Sequence, residues 1–382
     1  MARFNEAAYL RLIRGQTRSR IAMTARGLLG LAAAGYRVGV AVRNRSFDRG
    51  GKAVHHVPVP VVSVGNLTLG GTGKTPTVEW VARWFRTRDV RVAILSRGYG
   101  QAEGINDEGR VLEENLPDVP HLQDPDRVRS ARIAVAELET ELIVLDDGFQ
   151  HRRLGRDLDL VLLDALDPFG LGRMFPRGLL REPVASLRRA GVVVLSRADL
   201  VDEATRRAIR TEAERRAGPL AWAEARHAPR DLIDADGRSS PLDRLPDRPV
   251  AAFCGIGNPA GFRRTLEGMG IAVVGFRTFP DHHAYSRRDV EELAGWVRDR
   301  GAGLALTTQK DLVKLRTATL GSVPLCALRI GLDVLSGESV LDGALARLLP
   351  ARHGDVAGPQ PNPLPGGEGT GFAPSPPGRG PG

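Results

Sequence analysis

The chain is poor in several features that would narrow its class at once. It has two cysteines in 382 residues, Cys254 and Cys326, far apart and outside any C-x-x-C spacing. That argues against a disulfide scaffold and a zinc site, and it suits a reducing compartment. It has no apolar run near the ~20 residues needed to cross a bilayer. The most apolar N-terminal stretch, "LLGLAAAGY" at 28–36, stops at Arg37. The long charged lead-in before it does not suit a signal peptide. Acidic residues are scarce at one end only. Residues 1–52 carry eleven Lys/Arg against Glu6 and Asp48, a surplus of nine that equals the net charge of the whole chain. Residues 53–382 are therefore neutral overall. The positive field is local, and it suits anionic lipid or nucleic acid. No internal repeat is present.

What is there is punctuated. Ala7, Leu10 and Ile13, then Leu28, Leu31, Ala34 and Val38, recur at helical spacing between arginines, so residues 6–44 read as one or two basic helices. Such a segment suits a surface helix packed on the core or a helix lying on a membrane surface. Short continuous apolar runs follow: "VPVPVVSVGN", "RVAILSRGYG", "ELIVLDDGFQ", "DLVLLDA" and "AGVVVLSRADL". Separated by helical or loop segments, they form the pattern of buried parallel strands in a doubly wound α/β sheet. Polar residues and glycines gather at their C-terminal ends, where such sheets bind ligands. Residues 222–250, rich in Pro and Asp, lose this rhythm and read as a linker or hairpin. A second α/β unit runs from "VAAFCGIGNP" to "VPLCALRIGL".

The strongest motif is "GNLTLGGTGKTP" at 65–76. A phosphate-binding loop reads G-x-x-x-x-G-K-[ST], and Thr68 stands where its first glycine belongs. Gly70, Gly71 and Gly73 let the backbone turn its N–H groups towards phosphates, with Thr72 between them. Lys74 would reach the β- and γ-phosphates, and the Thr75 hydroxyl would bind Mg²⁺. In "LIVLDDGFQ" an apolar strand ends in Asp146 and Asp147, placing carboxylates where an acid holds Mg²⁺ directly or through water. "SRAD" at 196–199 and "TQKD" at 308–311 loosely match the guanine-reading [NT]-K-x-D. They keep open an alternative, a P-loop GTPase or metallochaperone-type switch. A nucleic-acid-binding ATPase is favoured by charge alone. "FPDHHAY" puts Asp281, His282 and His283 at a strand end. Adjacent histidines diverge along an extended chain, so proton transfer or the polarising of a carboxylate suits them better than a shared metal.

Taken in order, "PVPVVSVGNLTLGGTGKTP", "LSRGYG", "NDE", "DDGFQHRRLGRDLDLVLLDA", "PFGLGRMFPRGLLREP", "FCGIGNPAGF", "FPDHHAY" and "TTQKD" resemble the tetraacyldisaccharide 4′-kinase family, the lipid A 4′-kinases, from about residue 57 to 315. In that family Ser or Thr precedes the loop glycines, so Thr68 looks like a family feature. The resemblance implies ATP- and Mg²⁺-dependent phosphorylation of the 4′-hydroxyl of tetraacyldisaccharide 1-phosphate, giving lipid IVA. It implies a lipid A disaccharide precursor as partner; no nucleic acid is expected, and no protein partner is implied. It further implies a peripheral position on the cytoplasmic face of the inner membrane of a Gram-negative-type bacterium, with the basic N-terminus against the anionic surface. Carried over, Lys74 and Thr75 bind phosphate and Mg²⁺, with Asp146, Asp147 and Gln150 near the metal. Asp107 matches the catalytic acid that acts with a histidine, here His282. Arg97, His151, Arg181 and Glu182 match positions that line the substrate or metal site. The chain departs from the pattern in a short connection between Arg97 and Asp107, in "NDE" for the usual "GDE", and in Gln309 for the usual Glu.

The expected organisation is a membrane-surface helical segment at 1–52 and a P-loop ATP-binding core at 53–225, with a doubly wound, mostly parallel sheet. A smaller α/β lobe follows at 226–350. A Pro/Gly-rich tail at 351–382 has almost nothing to bury and is expected to be disordered. Asp107 and His282 fall on opposite sides of the division at about 225, so they are expected to meet only when the cleft closes.

Overall fold

The computed structural model describes residues 6–98, 106–244 and 248–350. The expected tail at 351–382 lies outside the described residues. Helix α1 (Glu6–Ile13) and the 29-residue α2 (Arg20–Asp48) come first. Ser19 caps α2, its hydroxyl accepting from the Ala22 N–H. Then β1 (Val61–Asn66), α3 (Lys74–Arg86), β2 (Val92–Ser96), α4 (Asp107–Asn115), β3 (His121–Gln123), α5 (Arg127–Glu137), β4 (Leu142–Asp146), β5 (Leu158–Asp164), β6 (Val192–Ser196) and α6 (Glu203–Ala217) follow in turn. The second half holds β7 (Trp222–Ile233), β8 (Ser239–Pro241), β9 (Val250–Cys254), α7 (Pro259–Gly268), β10 (Val273–Thr278), α8 (Arg287–Asp299), β11 (Leu304–Thr308), α9 (Gln309–Leu315), β12 (Thr319–Leu320), β13 (Val323–Ser336) and α10 (Glu338–Ala346).

One sheet runs through all of this, in the order β10-β9-β11-β13-β7-β6-β5-β1-β4-β2-β3. Most neighbours are parallel; β13 against β7, β12 against β13 and β8 against β7 are antiparallel. The five apolar runs of the first half all form buried strands, as their unbroken hydrophobicity requires. Their alternate residues feed opposite faces. Val62 and Val64 pack towards Val78, Val81 and Phe85 of α3, while Ala93, Leu95 and Ile143 pack towards Val128, Ala131 and Ala134 of α5. Helices cover both faces, which makes this a doubly wound, mostly parallel α/β sheet. Each fully buried Val, Leu or Phe adds roughly 1.5–3 kcal/mol relative to exposure.

The segment 222–250 differs from the linker reading. Residues 222–233 form a twelve-residue strand, the junction of the two halves, and only β8 behind it is a hairpin arm. The division at about 225 therefore falls inside a strand. Among the described residues no helix is long and apolar enough to cross a membrane. Helix α2 presents two faces. Ala22, Ala33, Val40 and Phe47 pack inward, while Ile21, Leu28, Leu31, Val38 and Val42 are exposed.

Candidate active site

β1 ends at Asn66, and the glycine loop carries the chain into α3, whose cap Gly73 sits at φ +88°. A Cβ there would also lie 2.1 Å from His227 Nε2 on β7. Gly73→Ala is therefore expected to abolish nucleotide binding, read by isothermal titration with ATP; wild-type affinity would refute the assignment of this loop. The loop is held from outside by its carbonyls. Ser196 Oγ donates to Thr72 O at 2.8 Å, and Arg197 Nη2 to Gly71 O at 2.8 Å. Arg181 Nε donates to Thr68 O at 3.1 Å, and Asn66 Nδ2 to Thr72 Oγ1 at 2.8 Å. Carbonyls tied back in this way leave the loop N–H groups and the α3 N-terminus to an anion.

The loop floors a cleft of about 620 Å³. Gly70, Gly71, Thr72, Gly73, Lys74 and Thr75 line it, and so do Arg97, Asp146, Asp147 and Arg181. Thr68 is buried beneath it. Ile256, Phe262, Leu328 and Ile330 add an apolar wall from the second half. Of the acid pair, Asp147 is taken. Arg181 grips both of its oxygens at 2.9 Å, and Lys74 Nζ stands 3.7 Å away. Burial pushes the Asp147 carboxyl up, but Lys74 and Arg181 outweigh it and bring it down to about 2. Gln150 is engaged too, accepting from Arg181 Nη1 at 3.1 Å and donating to Asn66 O at 2.9 Å. Asp146 is different. Its Oδ1 is buried without a hydrogen-bond partner, and burial with the charge of Glu108 pushes its carboxyl up to about 7. A buried carboxylate with one unpartnered oxygen, lining the same cleft as the buried Thr75, fits a divalent cation completed by phosphate oxygens and water. No cluster of three or more His, Cys, Asp or Glu suited to a cation occurs among the described residues.

Across the cleft, His282 Nδ1 lies 3.0 and 2.9 Å from the two oxygens of Asp107. The pair is thus already in contact, where closure had been expected to bring it together. Burial raises the Asp107 carboxyl, but the His282 hydrogen bond and the charges of His282, Lys310 and Lys314 bring it down to about 2. The hydrogen bond to Asp107 raises His282. His282 adopts φ +55°, left-handed backbone that costs a non-glycine residue on the order of 1–3 kcal/mol.

Two of the substrate-lining expectations sit behind the cleft. Glu182 is buried, paired with Arg189 at 2.9 Å and accepting from Asn44 Nδ2 of α2 at 2.8 Å. His151 Nδ1 lies 3.3 Å from Arg127 Nη1, and burial with the Arg127 charge brings its ring down to about 4. Arg127 and His227 line the cleft without having been singled out, and Arg197 and Glu108, which stand in "SRAD" and "NDE", line it in a role those motifs do not suggest. Arg127 and His227 carry no such signal, since each is placed by distant parts of the chain.

Phosphate loop, strand-end acid and doubly wound sheet together define a P-loop nucleoside-triphosphate enzyme. The sequence model of the family described as "Tetraacyldisaccharide-1-P 4′-kinase" matches residues 25–349, and the chain belongs to that family. It is 43% identical to the tetraacyldisaccharide 4′-kinase of Anaeromyxobacter sp. (strain Fw109-5), over 82% of this chain and 90% of the relative. It is 37% identical to that of Syntrophus aciditrophicus, over 80% and 88%. The crystal structure of the "apo" form of LpxK from Aquifex aeolicus in complex with ATP superposes with a TM-score of 0.67 at 32% identity, covering 85% of this chain and 99% of that one. The chain is thus a kinase, and the switch-protein alternative is not favoured. In "SRAD", Ser196 and Arg197 brace the phosphate loop, and in "TQKD" the fully buried Asp311 accepts from Gly255 N–H, Thr308 and Tyr285.

Proposed function

We propose that this kinase transfers the γ-phosphoryl group of ATP to the 4′-hydroxyl of a tetraacyldisaccharide 1-phosphate, giving lipid IVA. The observation that carries the reading is His282, which lines one cleft with the phosphate loop and is held by Asp107, within a chain of this family. Lys74 and the loop N–H groups hold the β- and γ-phosphates. Thr75 and Asp146 are the residues that would hold Mg²⁺, which supplies charge neutralisation on the phosphate oxygens. Asp147 orients Lys74, and Arg181 holds Asp147 in turn. The 4′-hydroxyl gives its proton to Asp107 as its oxygen bonds to the γ-phosphorus. The bond from that phosphorus to the β,γ-bridging oxygen breaks, and its electron pair leaves with ADP. A carboxylate held this low accepts the proton late, once the oxygen has begun to bond, which suits a loose transition state. Arg97, Arg127, Arg181 and Arg197 give the cleft a positive wall for an anionic acceptor. Mass spectrometry after incubation with Mg-ATP and tetraacyldisaccharide 1-phosphate tests the reading. A gain of one phosphate at the 4′ position is expected; no gain overturns it.

We further propose a peripheral position on the cytoplasmic face of an inner membrane, supported by the exposed apolar face of α2 and by Arg11, Arg14, Arg18 and Arg20, all exposed. The acceptor's acyl chains would then stay in the bilayer while its sugar enters the cleft. Each such cation contributes about 1 kcal/mol near an anionic surface, so neutralising all four to glutamine should weaken vesicle binding by about a thousandfold. Raising salt should weaken it as well. Co-sedimentation with anionic vesicles that ignores both changes would sink this placement.

A further inference from the structure

The motif "TTQKD" at 307–311 has no part in the steps above. Its helix, α9, reaches Asp107 on one side and the loop that carries His282 on the other. Towards α4, Lys310 forms an ion pair with Glu108. Gln309 and Asn115 exchange amide hydrogen bonds, Nε2 to Oδ1 at 2.9 Å and Nδ2 to Oε1 at 3.2 Å. The helix that begins with Asp107 is thus fastened at both ends. Towards the histidine loop, Asp311 is fully buried and accepts from Gly255 N–H at 3.0 Å, Thr308 Oγ1 at 2.7 Å and Tyr285 Oη at 3.0 Å. Tyr285 stands three residues after His282.

Lys314, one turn on, joins these two anchors. Its Nζ lies 3.7 Å from Asp107 Oδ2, 3.2 Å from Asp311 Oδ1 and 5.5 Å from the centre of the Tyr285 ring. One carboxylate is the proposed proton acceptor, and the other anchors the loop that presents its histidine. Without a cation between them the two carboxylates would repel across a mostly buried space. We propose that Lys314 is a positioning residue for the Asp107–His282 pair, the bridge by which α9 holds the carboxylate of α4 and the histidine of its loop in one geometry. The proposal rests on the reading of that pair as the proton-transfer machinery.

Lys314→Met is expected to lower kcat ten- to a hundredfold with the KM of ATP and of the acceptor within about twofold of wild type, and Lys314→Arg to recover most of the loss. Because Lys314 acts through Asp107, the double variant Lys314→Met/Asp107→Asn should be no slower than Asp107→Asn alone. The acid limb of kcat should also move to higher pH in Lys314→Met, since Asp107 loses one of its cations. The charged groups left around Asp107 are His282 and Lys310, with Asp281 against His282, Asp311 beyond the lost Lys314, and Glu108 paired with Lys310 on α4. If Lys314→Met does not fold, Lys314→Met/Asp311→Asn removes the uncompensated carboxylate and is read in its place. An unchanged kcat in a folded variant overturns the proposal. So does a loss confined to the KM of ATP, or a double variant slower than Asp107→Asn by the full Lys314→Met factor. Wild-type enzyme in the same assay separates the two levels. A wild type that transfers no phosphate overturns the proposed function, and an active wild type matched by Lys314→Met overturns this proposal alone.

Discussion

Lys74→Ala should lower kcat by three orders of magnitude or more, with a thermal midpoint close to that of wild type. The lysine opens α3 directly after Gly73, and its side chain reaches the cleft rather than the core. Its partner in the protein is Asp147 at 3.7 Å, and Asp147 keeps both Arg181 bonds without it. Little native structure is therefore lost. What is lost is a fixed cation on the phosphoryl group as its charge redistributes, where the field acts on the transition state more than on bound ATP. A thousandfold corresponds to about 4 kcal/mol of barrier. Steady-state kinetics on a folded variant decide the matter, and near-normal turnover would remove the loop from the chemistry.

The second large effect concerns Asp107 and His282. Asp107→Asn and His282→Ala should each lower kcat by about 10²–10⁴, with ATP affinity nearly intact because neither residue belongs to the phosphate loop. The double variant should cost far less than the sum, since the two oxygens of Asp107 and His282 Nδ1 form one bonded unit. Strict additivity, or a loss confined to ATP binding, would mean that the pair does not move the proton. Stability carries a second signature. His282 is raised, so its contribution is full below its ordinary value near 6.5 and fades as pH climbs through the raised value. Asp107 is lowered to about 2, so its contribution is full above about 4 and fades as pH falls towards 2. The difference in melting temperature between wild type and His282→Ala should therefore peak between those limits, and a difference flat from pH 4 to 9 would deny the coupling.

The parts of the fold that could be read directly were those whose residues state their own environment. β1, β2, β4, β5 and β6 are buried on both faces, so their runs are apolar throughout. β7 hides itself. Arg226, Arg230 and Asp231 interrupt it, because those side chains are matched across the ladder by Asp333 and Arg329, about a hundred residues away. Only the fold explains why a strand carries them. β3 is three half-buried residues, too short for any period. In the site, Lys74, Thr75 and Asp146 are announced by local motifs, and the spacing-blind Asp107–His282 contact follows from the family resemblance. His227 and Lys314 are not announced at all, and the "SRAD" motif hints at a base-reading role for Arg197 rather than the loop brace it forms. Each acquires its place from a strand or helix remote in sequence. Glu182 stands in a motif that resembles substrate-lining residues, yet its neighbours turn it inward to hold Arg189 and Asn44.

The fastening of α2 has a consequence for how this catalyst meets its acceptor. The helix is bonded to the very segments that shape the cleft: Tyr36 Oη to Arg181 O at 3.1 Å, Arg43 to Gln150 O, and Arg152 to Asn44 O at 3.0 Å. With its outer face in a bilayer, the mouth of the cleft would be fixed at one height and one tilt above the lipid. The acceptor would then be searched for in two dimensions. Velocity should follow the mole fraction of disaccharide in the surface, and diluting that surface with inert lipid should slow the reaction even when the bulk amount of acceptor is unchanged.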